Sequence, residues 1–128
     1  MVLVVDDSLT VRKITTRLLT REGFRVDSAK DGVDALEKMR DLLPDIVLLD
    51  VEMPRMNGLE VTRNLRNHVE TRDLPVVMIT SRATEKHQAM AEQAGVTRML
   101  GKPFSEDTLV ALVRGLIADR STAETSAT

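Results

Sequence analysis

Short apolar runs alternate with stretches of helical periodicity along almost the whole chain. The clearest runs span 2–5, 46–49, 76–79 and 99–101. Each is followed by a polar residue, and these are Asp6 and Asp7, Asp50, Thr80 and Lys102 in turn. Continuous apolar runs are typical of buried parallel strands. Their alternation with helices predicts βαβ units and therefore an α/β fold with a parallel sheet.

Turn-forming and capping residues predict where the elements begin and end. Ser8 is a suitable N-cap for a first helix, which Gly23 closes. Gly95 closes the fourth helix, and the Pro, Asn and Gly residues of 51–58 predict a loop. After the first strand and helix, strands are predicted over 24–28, 45–49, 74–79 and 96–100, and helices over 31–42, 59–68, 83–94 and 105–118.

Each predicted helix has an apolar stripe that we expect to face the sheet. The stripe is most regular in the last helix and weakest in the fourth. We therefore expect the fourth helix to be the loosest, because it buries the least apolar surface. The stripes are Val11, Ile14 and Leu18; Val33, Leu36 and Met39; Val61 and Leu65; Ala83, His87, Met90 and Ala94 or a close neighbour; and Leu109, Leu112, Val113, Leu116 and Ile117.

Length, charge and composition limit the classes of protein that remain. The chain has 128 residues, enough for one domain over 1–119, and the tail 120–128 is predicted to be disordered. It has no Cys, which excludes disulfides and thiolate chemistry. A net charge of −2 gives no case for nucleic acid or direct membrane contact. With no membrane span or signal peptide in the sequence, we expect a cytoplasmic protein.

The polar residues after the strands are suited to binding a cation and a phosphoryl group. In open α/β sheets, ligands bind outside the carboxyl ends of the strands. Asp6, Asp7 and Asp50 would repel one another unless they held protons or a cation. Carboxylates favour a hard cation, and no EF-hand-like loop is present, so Mg²⁺ is expected, with Mn²⁺ as an alternative. A single Asp after a strand is common in turns and predicts no cation site. The prediction depends on the three aspartates occurring together with Thr80 and Lys102.

Asp50 is the candidate acceptor because it stands alone after the central run. A carboxylate can attack phosphorus and form an aspartyl phosphate. Lys102 is suited to pair with a phosphoryl oxygen, and Thr80 offers a hydroxyl donor. His68 and His87 are expected to be ordinary surface histidines.

The chain resembles the receiver domains of two-component response regulators. The resemblance covers about residues 2 to 118 and includes the ordered segments Val-Val-Asp6-Asp7-Ser8, Leu-Leu-Asp50, Met53-Pro54-x-Met56-Asn57-Gly58, Ile79-Thr80-Ser81 and Lys102-Pro103-Phe104. Each segment is modest alone, and the ordered set is highly specific. The resemblance implies a flavodoxin-like (βα)5 doubly wound sheet with strand order 2-1-3-4-5.

The resemblance also implies roles for the matching residues. Asp50 would accept a phosphoryl group from the phosphohistidine of a histidine kinase or phosphotransfer domain. Asp7 and Asp50 would bind Mg²⁺ directly, Asp6 mostly through water, and the backbone carbonyl of Glu52 would complete the protein ligands. Thr80 and Lys102 would contact the phosphate, and the peptide bond between Lys102 and Pro103 would be cis. An output partner would dock on the face of the fourth helix, fifth strand and fifth helix.

The segment from Asp7 to Lys13 is similar to receivers at the C-terminus of chemotaxis-type hybrid histidine kinases. Met1 next to the first strand and the polar tail fit a domain cut from a longer chain. A stand-alone single-domain chemotaxis-type regulator, or a phosphate sink that drains a shared kinase, is the alternative. In either case we expect the chain alone not to be an enzyme beyond self-phosphotransfer and slow autodephosphorylation. In the hybrid case the parent protein would be a histidine kinase.

Two departures from the family pattern concern switching and phosphate lifetime. Receivers usually have an aromatic residue three positions before the Lys, where this chain has Met99. Met is flexible and lacks a flat ring, so a conformational switch by rotation of an aromatic side chain at this position is in doubt. Glu52 and Arg82 occupy the variable positions beside the site. We expect Arg82 to pair with Glu52, partly close the site and tune the loss of phosphate.

Three rival functions make different predictions. A phosphatase or mutase with an aspartyl nucleophile would carry a second Asp where this chain has Glu52, and would turn over phosphate esters repeatedly. A flavin-binding module would need a Ser/Thr/Gly-rich phosphate cradle, and Asp6 and Asp7 would repel its phosphate. A degenerate receiver used only for docking would lack some of the five site residues.

Overall fold

Five parallel strands form one sheet in the order β2-β1-β3-β4-β5, which confirms the expected doubly wound α/β fold. The computed structural model describes residues 1–53, 56–82 and 84–126. The strands are β1 (Val2–Val5), β2 (Val26–Ala29), β3 (Ile46–Asp50), β4 (Val76–Thr80) and β5 (Arg98–Gly101). In this order the ends of β1 and β3 are neighbours, as are those of β3 and β4.

Four of the helices begin at a side-chain cap, and the predicted cap Ser8 is one of them. The five helices are α1 (Leu9–Arg21), α2 (Gly32–Asp41), α3 (Gly58–Arg66), α4 (Glu85–Ala94) and α5 (Glu106–Ser126). The side chains of Ser8, Asp31, Asn57 and Thr84 each accept a hydrogen bond from a backbone N–H three residues later. Gly95 ends α4 with a φ of +94°, a conformation that favours glycine.

The core lies on both faces of the sheet because successive strand residues point in opposite directions. Leu3, Val5, Val47 and Leu49 pack with the buried residues of α2 and α3 on one face. Val2, Val4, Ile46 and Leu48 pack with α1 and α5 on the other face. Burial on both faces explains why these strands are continuously apolar.

The predicted inward stripe of α1 is wrong for two of its three residues. Leu18 and Leu19 are buried, whereas Val11 is 36% exposed and Ile14 is 58% exposed. The helix meets the sheet through its C-terminal half, and adjacent Leu18 and Leu19 set the buried face. Val33 of α2 is likewise 40% exposed, because Ala35 and Met39 form the buried stripe there.

Helix α5 continues to Ser126, past the predicted end at 118. The segment 120–126 contains neither Gly nor Pro, so nothing in it stops a helix. Disorder of the tail 120–128 stays a prediction. Ala127 and Thr128 lie outside the described residues, as do Pro54 and Arg55 of the predicted loop.

Helix α4 makes a shallow contact with the rest of the domain, as its weak stripe predicts. Its buried residues are Ala91 and Ala94, while Met90 is 37% exposed. Ala83, also assigned to this stripe, lies outside the described residues. The greater mobility of α4 stays a prediction. Within the described ranges, no helix combines the length and apolar character needed to cross a membrane.

Candidate functional site

The carboxyl ends of β1 and β3 bring three carboxylates together. Ligand oxygens of Asp6, Asp7 and Asp50 all lie within 4.8 Å of one another. Asp6 and Asp50 are buried, and Asp7 is exposed at the mouth of the site. Because the two strands are neighbours in the sheet, Asp50 meets Asp6 and Asp7, which precede it by 44 and 43 positions in sequence.

Backbone and side-chain donors hold these acids in place. The N–H of Ser8 donates to Asp6 Oδ1 at 2.9 Å, and the N–H of Glu52 donates to Asp50 Oδ1 at 3.2 Å. Arg12 Nη1 donates to the backbone carbonyl of Asp6 at 2.6 Å. Each hydrogen bond leaves carboxylate oxygens available for other contacts, since a carboxylate has about four acceptor positions.

Burial raises the pKa of both Asp6 and Asp50 above the usual value for Asp. The hydrogen bonds from the N–H groups of Ser8 and Glu52 oppose this rise, as does the positive charge of Lys102. The mutual charge of the aspartates adds to it. The cluster therefore carries an unfavourable concentration of negative charge, which a cation would relieve.

Thr80 and Lys102 lie on the other side of Asp50, at the ends of β4 and β5. Thr80 is buried, and its Oγ1 accepts a hydrogen bond from the N–H of Arg82 at 3.0 Å. The N–H of Lys102 donates to the carbonyl of Thr80 at 2.8 Å, which keeps the two residues adjacent. The peptide bond between Lys102 and Pro103 is cis, as the resemblance implied. Within the described ranges, the Lys102 ammonium forms no ion pair with the aspartates.

Glu52 and Arg82 form an ion pair beside the site, as expected from their positions. Arg82 Nε lies 3.7 Å from Glu52 Oε1, and the Ser81 hydroxyl lies 3.5 Å from the same oxygen. Both charged side chains are more than half exposed. Such a pair contributes about 0–1 kcal/mol, so it can be opened easily.

Gly58, the first residue of α3, packs closely against the backbone of Asp50 and Val51, a role that the sequence did not indicate. A Cβ at this position would lie 3.0 Å from the carbonyl oxygen of Asp50 and 3.0 Å from the Cα of Val51. Both neighbours are backbone atoms, which cannot rotate away. The N–H of Gly58 also donates to the carbonyl of Val51 at 3.2 Å. Only glycine allows α3 to begin this close to Asp50.

Gly58→Ala is therefore expected to destabilise the protein by about 1–3 kcal/mol, the usual cost of overpacking. Gly115→Ala is the matched control, because a Cβ at Gly115 would meet nothing within 4 Å. The control should be neutral or stabilise helix α5 by up to about 1 kcal/mol. Urea denaturation in EDTA measures both changes. Equal unfolding free energies for the two variants would contradict the close-contact argument.

The structure thus places the three aspartates in one cluster and Thr80 and Lys102 at the adjoining strand ends. The supporting contacts of Arg12 and Gly58 were not predicted, because their only signal in the sequence is proximity to the acids and to the loop. Met99 lies on β5 beside Met78 and is partly buried. The His68 ring forms a hydrogen bond with the carbonyl of Asn64, and the His87 ring forms one with the hydroxyl of Thr84. Their ordinary surface roles stay a prediction.

The donor set fits a hard divalent cation. Asp6, Asp7 and Asp50 supply carboxylate oxygens from two strands within one small volume. Mg²⁺ is commonly held by one or two carboxylates together with water and phosphate oxygens. The chemistry of the donors therefore matches Mg²⁺, and the raised pKa of the buried pair, due mainly to burial, shows why neutralisation is favourable.

Fold and site together define a flavodoxin-like α/β domain with an acidic centre at the carboxyl edge of its sheet. The family model for the response regulator receiver domain matches residues 2–114. The chain belongs to this family and is a receiver domain of two-component signalling. Receiver domains generally bind Mg²⁺ at an acidic pocket and interact with histidine kinases or phosphotransfer proteins.

Individual relatives agree with this assignment. Response regulator MprA of Mycobacterium sp. (strain KMS) is 41% identical over 116 residues, covering 91% of this chain and 50% of the relative. The chain thus spans about half the length of the curated relatives it matches. Chemotaxis protein CheY4 of Vibrio cholerae superposes with a TM-score of 0.86 at 31% identity, covering 90% of this chain and 96% of that one. A putative response regulator from Chloroflexus aurantiacus gives 0.86 at 32% identity, with 91% and 96% covered.

Proposed function

We propose that Asp50 accepts a phosphoryl group from the phosphohistidine of a histidine kinase or phosphotransfer domain. The observation that carries the proposal is the meeting of three carboxylates with Thr80 and Lys102 at adjoining strand ends. Neither an acid cluster nor a strand-end lysine is distinctive alone. Their combination supplies a nucleophile, a cation site and two donors for phosphoryl oxygens.

In the proposed reaction, an Asp50 carboxylate oxygen attacks phosphorus and forms the P–O bond of an acyl phosphate. The P–N bond to the donor histidine breaks, and its electron pair returns to the imidazole nitrogen, which takes up a proton. Lys102 and Thr80 hold phosphoryl oxygens through their N–H and O–H groups. Bound Mg²⁺ would be held by Asp6, Asp7 and Asp50, with the carbonyl of Glu52 as a further ligand, and would neutralise phosphoryl charge.

Acetyl phosphate or phosphoramidate provides the direct test, because either can replace the protein donor. Incubation with Mg²⁺ should add one phosphoryl group, detected by intact mass. EDTA should prevent the addition. The absence of Trp rules out intrinsic tryptophan fluorescence as a readout. Failure to gain phosphate from either small donor and from a histidine kinase would refute the proposal.

The chain alone is proposed to transfer phosphate to itself and to lose it slowly, without turning over other substrates. Sustained release of phosphate from small esters would instead favour a phosphatase. Loss of phosphate from Asp50 requires water to attack phosphorus and release the free carboxylate. Glu52, Ser81 and Arg82 lie where they can restrict that water.

Glu52→Ala and Arg82→Ala are each expected to speed the loss of phosphate by about two- to fivefold. The limit follows from the small energy of an exposed ion pair. Because either change breaks the same pair, the double variant should be no faster than the faster single variant. Arg72→Ala removes an exposed pair with Asp73 at a distance from the site and serves as the control. Desalting followed by timed intact-mass measurement gives the rates, and unchanged rates in both site variants would reject this tuning role.

The proposed output surface is the face formed by α4, β5 and α5. Thr80 lies in β4 beside the end of β5. A shift of its hydroxyl toward the phosphate would therefore be transmitted to β5. The small buried surface of α4 supports movement of this helix. With Met99 in place of an aromatic side chain, the shift would depend on Thr80 and on repacking of a flexible methionine.

The parent protein is proposed to be a chemotaxis-type hybrid histidine kinase, with this domain at its C-terminus. The similarity of 7–13 to such receivers supports this assignment. A stand-alone chemotaxis-type regulator or a phosphate sink is the alternative. A phosphate sink would compete with another receiver for one kinase, and adding this chain would speed the other receiver's dephosphorylation. The cytoplasmic location stays a prediction.

A further inference from the structure

The peptide that joins Asp6 to Asp7 has its own side-chain anchor. Arg12 of α1 is partly buried and donates from Nη1 to the Asp6 carbonyl oxygen at 2.6 Å. On the other side of the same residue, the Asp6 N–H donates to the carbonyl of Ala29 at 3.1 Å. Both polar backbone groups of Asp6 are thus fixed, one by β2 and one by α1.

Fixing the Asp6 carbonyl also restricts the position of the Asp7 backbone. The peptide unit is planar, so the oxygen position sets the plane that contains the Asp7 nitrogen and Cα. Asp6 and Asp50 receive backbone N–H bonds at their carboxylates from Ser8 and Glu52. Asp7 is exposed at the mouth of the site. The position of its carboxylate therefore depends more on the orientation of its backbone than on packing by buried neighbours.

We infer that Arg12 is a positioning residue that sets the Mg²⁺ affinity of the site by orienting the Asp6–Asp7 peptide. Its hydrogen bond is to the Asp6 backbone carbonyl and not to a carboxylate oxygen, so it would act through the aspartates. The inference rests on the proposed function of Asp50 and extends it to a residue on the adjoining helix. Contacts that orient metal ligands commonly change metal affinity by about 10- to 100-fold when removed.

Arg12→Met removes the donor and keeps most of the side-chain length. We expect it to raise the Mg²⁺ dissociation constant about tenfold. Arg12→Gln, whose amide is two bonds too short to reach the carbonyl, should have the same effect and serves if the Met variant does not fold. Arg12→Lys retains a donor near the carbonyl and should recover most of the affinity. Lys13→Met removes a positive charge from the next residue of α1 and is the control for a general loss of charge.

Two measurements separate positioning from a purely structural role. Amide NMR titration with MgCl₂ gives the dissociation constant, and the rate of phosphorylation by acetyl phosphate is followed across Mg²⁺ concentrations. Arg12→Met should shift the half-saturating concentration about tenfold, while the rate at saturating Mg²⁺ approaches that of the wild type. A structural role would lower the unfolding midpoint in EDTA and leave the half-saturating concentration unchanged.

The outcomes distinguish this inference from the proposed function. If the wild-type chain neither binds Mg²⁺ nor accepts phosphate, the proposed function fails. If the wild type does both and Arg12→Met matches Lys13→Met, the positioning role alone is overturned. A reduced saturating rate with an unchanged half-saturating concentration would also overturn it, because Arg12 would then act on the reaction and not on the metal.

Discussion

Asp50→Asn should abolish the gain of a phosphoryl group from acetyl phosphate and Mg²⁺. Asn is nearly the same size, and its Oδ1 can still accept the hydrogen bond that the N–H of Glu52 gives to Asp50 at 3.2 Å. The fold is therefore retained while the nucleophile is lost, since an amide oxygen is a far weaker nucleophile toward phosphorus than a carboxylate. Intact mass after incubation should show no phosphorylated species.

Asp7→Asn provides the matched control for this experiment. It removes the same charge from the same cluster and leaves the proposed acceptor intact. This variant should still be phosphorylated, more slowly and at a higher Mg²⁺ concentration, because one cation ligand is weakened. The two variants therefore separate loss of the acceptor from loss of the metal.

Chemical lability identifies the linkage independently of mutation. An acyl phosphate reacts with hydroxylamine at the carbonyl carbon, which releases phosphate and leaves a hydroxamate on the side chain. Phosphate on Ser81 would survive that treatment. Full phosphorylation of Asp50→Asn, or a hydroxylamine-resistant product in the wild type, would refute Asp50 as the acceptor.

The site residues were predictable because parallel strands impose a simple geometry. Strands buried on both faces are continuous apolar runs in the sequence, and all of them point the same way. The first polar residue after each run must then lie on one edge of the sheet. Asp50, Thr80 and Lys102 follow that rule, and the strand order from the family resemblance makes them neighbours.

The supporting contacts were not predictable because they depend on tertiary distances. Arg12 has the sequence appearance of a solvated helix residue, yet its guanidinium reaches the carbonyl of Asp6. Gly58 has the appearance of a turn glycine, yet its importance comes from the 3.0 Å approach of the Asp50 carbonyl. Helical periodicity also failed for Val11 and Ile14, since α1 meets the sheet through Leu18 and Leu19.

Removing one charge from the acidic cluster should also stabilise the metal-free protein. Burial raises the pKa of Asp50, and the charges of Asp6 and Asp7 raise it further. Ionised Asp50 therefore costs folding free energy at neutral pH. Asp50→Asn should therefore raise both the unfolding free energy and the unfolding midpoint in EDTA.

The pH dependence of this gain follows from the direction of the shift. In the unfolded chain Asp50 has an ordinary pKa of about 3.9, and in the folded chain its pKa is higher. Between the two values the folded state binds more protons, so wild-type stability falls as pH rises. The variant cannot ionise at this position. Its advantage should be absent at low pH, grow as pH rises through that interval, and remain constant above it.

Magnesium should reduce this advantage of the variant at neutral pH. A ligand that binds only the folded state adds RT ln(1 + [L]/Kd), or about 1.4 kcal/mol at ten times the dissociation constant. The wild type offers three carboxylates to the cation and the variant offers two, so the wild type gains more. Asp73→Asn, a change at a 92% exposed carboxylate, should alter neither series. If Asp50→Asn destabilises the protein in EDTA, the charge of Asp50 does not cost folding free energy. If the advantage of the variant is unchanged by Mg²⁺, the cation does not relieve that cost.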